Sequence, residues 1–129
     1  MSNSLKFFRA EQPFCFNEIK VLPFSIPHDA REPIGLIFDD EKNKLGILTD
    51  AGFITPHMID ILKNLDGLIL EFNYDETLLR KGSYPKSLKK RISSDLGHLS
   101  NDSAEFLLNK IFHPEMKVIV AAHLSKENN

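Results

Sequence analysis

Three short strings hold the residues of this chain that could do chemistry: Pro27-His28-Asp29-Ala30, Thr49-Asp50-Ala51-Gly52 and Ala122-His123-Leu124-Ser125. Each places a histidine or an aspartate where a strand is expected to run into a loop. Imidazole nitrogen and carboxylate oxygen delivered from strand ends are the donors of zinc- or manganese-type hydrolytic sites. A fourth string, Gly97-His98-Leu99-Ser100-Asn101, lies between the last two. The sequence has no His-x-His pair and no His-x-x-x-His, so the short-range half of a typical metal site is missing.

Each residue also has a plainer use. His28 can ligate a metal with Asp29 orienting its ring, or be a polar loop residue. Asp50 can bridge two ions, or be a turn aspartate ahead of Gly52. His123 directly follows Val118-Ile119-Val120-Ala121-Ala122 and is the most site-like of the three. His98, between a glycine and a helix start, can act as acid, base or phosphate ligand; otherwise it is an exposed neighbour of a helix cap formed by Ser100 or Asn101. His57 and His113 read as structural or surface residues. Glu71, Asn73 and Asp75 follow an apolar run, and strand carboxyl ends collect functional groups in open sheets; Asp75 can equally cap a helix. Arg80, Lys81, Lys86, Lys89, Lys90 and Arg91 fall in one acid-free stretch that includes Tyr84. Such a stretch suits a phosphate backbone, or is a solvated helix face.

The elements that must position these residues follow from pattern. Phe14 to Phe16 and Ile19 to Ile26 read as a hairpin around Asn17-Glu18, with Pro23 and Pro27 limiting the ladder of the second strand. Ile34 to Phe38 and Leu45 to Leu48 are strands about a charged turn. Thr55-Pro56 opens a helix whose stripe is Ile59, Leu62 and Leu65. Gly67 to Phe72 is an apolar run expected of a strand covered on both faces. Asp75 to Lys81 and Pro85 to Ser94 read as short helices. Asn101 caps a longer helix with Ala104, Leu107, Leu108 and Ile111 on one face. Met116 to Ala122 is a final buried strand. Hairpin strands followed by strand–helix units predict a layered α/β (α+β) fold, a mixed sheet with covering helices.

Composition bounds the rest. The chain has 129 residues, 42% apolar and 26% charged, enough for a core and against global disorder. A net charge of -2 excludes binding of nucleic acid by bulk charge, so such binding must be local. The lone Cys15, between Phe14 and Phe16, reads as a buried thiol in a reducing compartment. No apolar run reaches the roughly 18 residues of a membrane helix, and Met1 to Ala10 lack a signal-like core; a cytoplasmic protein with no membrane partner is expected. The chain begins almost directly with strand, and no helix follows the last one. Residues 1–129 are therefore expected to form a single partial domain of a larger fold.

In order, these strings resemble the metallo-β-lactamase-fold hydrolases, and within them the bacterial WalJ/YycJ-like nuclease branch. The resemblance rests on Pro23-Phe24 with Pro27-His28-Asp29-Ala30 and Glu32-Pro33-Ile34-Gly35; Thr49-Asp50-Ala51-Gly52; Glu71-Phe72-Asn73-Tyr74-Asp75; Gly82-Ser83-Tyr84-Pro85 with Leu88-Lys89 and Arg91-Ile92; Gly97-His98-Leu99-Ser100-Asn101; and Ala122-His123-Leu124-Ser125 with Asn128-Asn129. It implies the carboxyl-terminal half of an αββα sandwich. It also implies His28, Asp50 and His123 as ligands of zinc or manganese, one or two ions in the parent fold, with Asp50 shared between two. His98 and Asp75 would be catalytic, while Ser100, Asn101, Asn73, Lys89 and Arg91 would hold substrate. The branch usually has histidine where Tyr74 stands here, and its His-x-His-x-Asp-His signature is absent. Three ligands are too few for a dinuclear site; a mononuclear one is formally allowed.

The function this predicts is a metal-dependent phosphodiesterase, a DNA exonuclease by resemblance, present here as a truncated chain. The alternative is a catalytically inactive module that binds nucleic acid or protein through the Arg80 to Arg91 face. A sheet edge left unmatched would favour a homodimer or association with the missing amino-terminal half.

Overall fold

The computed structural model describes residues 7–129. Residues 1–6, part of the stretch read above for a leader, lie outside the described residues. Ten elements follow in the order β1 (Phe14–Phe16), β2 (Ile19–Ser25), β3 (Ile34–Asp39), β4 (Lys44–Leu48), α1 (Pro56–Ile61), β5 (Gly67–Glu71), α2 (Glu76–Lys81), α3 (Lys86–Ile92), α4 (Asn101–Ile111) and β6 (Val118–Ala122). The strands form one sheet in sequence order. The pairs from β1 to β4 are antiparallel, and β4–β5 and β5–β6 are parallel. The change follows from the connections: non-helical turns and loops of two to eight residues join the early strands, while helices carry the chain between the later ones.

Register sorts the side chains onto two faces. Ile37, Gly46, Leu68 and Ile119 pair in one row, and Leu36, Ile47, Ile69 and Val120 in the next. On the helix-covered face, Phe24, Ile37, Leu48, Leu68 and Leu70 pack with Met58 and Leu62 of the α1 segment and with Ala104, Leu107 and Ile111 of α4. Gly46 is needed there: a Cβ would stand 2.6 Å from Leu65 Cδ1. On the other face Leu36, Ile47 and Ile69 are only half-buried. The sheet therefore has one helix-covered face and one partly bare apolar face.

Several expectations need correction. β6 is not buried: Val118, Ile119 and Val120 are exposed, because β6 is the sheet's last strand and no described element covers it. Cys15 is exposed rather than buried, since β1 is the opposite edge. α1 stops at Ile61 with Leu62 as its C-cap, so Leu65 reaches the core from the following turn. Ser100, not Asn101, caps α4: its hydroxyl accepts from the Ser103 amide. Pro23 is tolerated within β2 because β1 pairs only with Ile19, Lys20 and Val21. No helix is long and apolar enough to cross a membrane among the described residues.

Candidate metal centre

The four strings converge at the carboxyl ends of β4, β5 and β6. Backbone hydrogen bonds tie their loops together. The Gly52 amide donates to Pro27 O at 2.8 Å, Asp29 to Leu96 O at 3.0 Å, Asn73 to Leu99 O at 3.0 Å and Ser125 to Asn73 O at 2.8 Å. Asp50 and His123 both turn out of their strands through the left-handed region, at φ 60° and 54°. Neither is glycine, and no glycine of the chain has positive φ. Gly52 and Gly97 serve close approach instead: a Cβ on Gly52 would collide with the Asp95 carbonyl, and one on Gly97 with the Ile92 carbonyl.

Asp50 Oδ1 is the hub. It lies 3.9 Å from His28 Nε2, 3.7 Å from His98 Nδ1 and 3.5 Å from His123 Nδ1. Ligands held at about 2.1 Å from one ion in a tetrahedron stand roughly 3.4 Å apart, so this spacing and the mixed nitrogen–oxygen donor set fit a divalent transition metal. His28 is prepared for the role: its Nδ1 donates to Gly97 O at 2.9 Å, leaving the Nε2 lone pair toward Asp50. Arg91 bonds Asp29 at 2.8 Å, and that hydrogen bond holds the Asp29 carboxyl below the usual carboxylate range. Asp29 in turn stands 3.4 Å from His28 Nε2.

Glu71 is the participant to which sequence reasoning assigned no role. It closes the apolar strand β5, is fully buried, and accepts four hydrogen bonds. Oε1 takes His98 Nδ1 at 2.8 Å and His123 Nδ1 at 2.7 Å; Oε2 takes the Ala51 and Leu99 amides, each at 3.2 Å. As a carboxylate it only accepts, which puts the proton of both rings on Nδ1. Its hydrogen bond raises the His98 pKa above the ordinary imidazole value, against burial, which lowers it. Asp50, Glu71, His98 and His123 each offer one donor atom within 4.8 Å of the others. A cation among them and the Glu71 hydrogen bonds would compete for the same Nδ1 atoms. The signal in the sequence was a carboxylate closing an otherwise apolar run, since glutamate is almost never fully buried unless paired.

The remaining predicted residues lie around this cluster with other engagements. The Asp75 carboxylate caps α2 through the Leu78 amide at 2.8 Å. Asn73 Nδ2 donates to His123 O at 2.8 Å, supporting the turn that presents the ring. Ser100 caps α4, and Asn101 pairs with Asn129. Lys89 Nζ is held by the carbonyls of Arg80 and Gly82 at 2.8 and 2.7 Å, and Arg91 by Asp29. Two cations of the basic stretch are thus occupied within the protein. His57 and His113 stand apart, bonded to Glu11 and to Leu65 O.

No family model matches the chain. Among curated proteins it is 39% identical over 88% of its length to a protein named exodeoxyribonuclease YycJ of Bacillus anthracis, covering 43% of that protein. It is 40% identical over 88% of its length to one named exodeoxyribonuclease WalJ of Streptococcus pneumoniae, covering 42%. The chain therefore spans less than half the length of the curated relatives it matches. Among solved structures, the metallo-β-lactamase fold protein YhfI of Bacillus subtilis superposes with a TM-score of 0.66 at 16% identity, over 92% of this chain and 42% of that one.

Proposed function

We infer, for a chain that carries the metallo-β-lactamase fold and is a homologue of part of the YycJ/WalJ exodeoxyribonucleases, that it supplies part of a metal-dependent centre for hydrolysis of nucleic-acid phosphodiesters, DNA being favoured. The observation that carries this reading is Asp50 Oδ1 within 3.9 Å of imidazole nitrogens from three separate loops.

His28, Asp50 and His123 would hold zinc or manganese. When bound, such an ion lowers the pKa of a coordinated water and offsets charge on a phosphoryl oxygen. The chain's own residues do the rest. Glu71 fixes the ring plane of His98 and accepts the proton on its Nδ1. A protonated imidazole beside the reacting phosphate can donate to a departing oxygen. The Gly97 carbonyl fixes His28 by accepting from its Nδ1. Ser100 caps α4 and Asn101 bonds Asn129, which fixes the start of the helix that follows His98.

The test is elemental analysis of the purified chain beside His123→Ala and Asp50→Ala. About one equivalent of zinc or manganese in the parent chain, lost in both variants, is expected. Absence of metal from all three would refute the centre and leave the binding-module reading.

A further inference from the structure

Next to the cluster, and lined in part by His98 and His123, lies an open cavity of about 490 Å³. Its volume is in the range of small-ligand sites. One wall is Tyr84, Leu88 and Ile92. These belong to α3 and the turn before it, and α3 buries none of its residues. It is held by polar contacts instead, Arg91 to Asp29 and Lys89 to two carbonyls. Leu88 and Leu124 are exposed beside the cavity. The Tyr84 hydroxyl has no hydrogen-bond partner among the described residues. A short helix with a bare apolar and aromatic face turned to a reactive cluster is a wall without a core.

Lys126, a lining cation without an ion pair among the described residues, offers a place for an anion beside the flat apolar wall. Arg91 also lines the cavity. Of the lining acids, Asp29 is engaged by Arg91, and Glu127 receives the Ser83 hydroxyl at 3.4 Å.

We propose that this cavity takes the terminal nucleotide of a single DNA strand, with its base stacked on Tyr84 between Leu88 and Ile92 and its phosphate toward Lys126 and His98. The proposal rests on the phosphodiesterase reading and deepens it. Every base has a π-face, and no fixed donor–acceptor pair reads base edges on this wall, so recognition would be of a strand end and not of a sequence.

The experiment is fluorescence anisotropy of the full chain with Mn²⁺ and a short single-stranded oligodeoxynucleotide whose terminal linkages are phosphorothioate, to resist hydrolysis. Two probes are compared, one ending in a base and one ending in an abasic residue, for the parent chain, Tyr84→Phe and Tyr84→Ala. Loss of the terminal base should weaken binding by the parent chain and by Tyr84→Phe about 5- to 150-fold. Tyr84→Ala should bind both probes alike, near the level of the parent with the abasic probe. Equal binding of the two probes by the parent overturns the stacking proposal while leaving the nucleic-acid reading intact. An undiminished base preference in Tyr84→Ala overturns it too. Failure to bind either probe overturns both.

Discussion

Replacing Glu71 tests the centre at its most buried point. The carboxylate is fully buried and accepts from two imidazoles and two backbone amides. In Glu71→Ala the rings of His98 and His123 can turn toward water, since both are partly exposed. The Ala51 and Leu99 amides cannot. Each stranded amide costs about 1–3 kcal/mol, and relief from no longer burying a carboxylate returns part of this. A net loss of about 2–5 kcal/mol is expected, a large fraction of the 5–15 kcal/mol typical of a domain. Glu71→Gln keeps the volume. Its carbonyl can serve both amides, while its NH₂ must donate to rings that then carry their proton on Nε2. Its loss should be about half as large or less. Urea unfolding with EDTA present, at constant m, measures both. Glu71→Ala within about 0.5 kcal/mol of the parent would refute the reasoning, as would Glu71→Gln costing more than Glu71→Ala.

Gly97→Ala should lower stability by about 1–3 kcal/mol, because the new Cβ meets the carbonyls of Arg91 and Ile92, backbone that cannot swing aside. Its thermal midpoint should fall with that of Gly52→Ala, and unchanged midpoints would show the loops to be slack. Asp66 has its pKa lowered first by the hydrogen bond from Lys117 and then by that from the Lys44 amide. Its folded pKa lies below its unfolded one, so its stabilisation is present at neutral pH and lost as pH falls from about 4 through the folded value. The parent should therefore lose more stability between pH 7 and pH 3 than Asp66→Asn does, and parallel urea midpoints would rule this out.

The layout of the sheet was legible because local pattern and tertiary role agree there. Alternation and turn residues mark the hairpin, and the cap and stripe mark α4. The convergence of His28, Asp50 and His123 was legible as strand-end placement, supported by the resemblance. What escaped was set by distant contacts. An apolar strand such as β6 looks the same whether or not anything covers it. Glu71 meets partners 20 to 52 positions away, which no local window contains. Lys89 and Arg91 are visible as charges, but the carbonyls and carboxylate that engage them lie at the ends of other segments. Leu65 shares a helical spacing with Leu62 yet reaches the core from a turn.

The left-handed backbone at Asp50 and His123 sets a trade-off. An L-residue in that region forgoes about 1–2 kcal/mol that glycine would recover. Glycine at either position would therefore ease the strand exit while removing the donor that the loop presents. Any selection that rewards only heat resistance, in a library or in a lineage released from catalysis, would drift toward glycine at these two positions first.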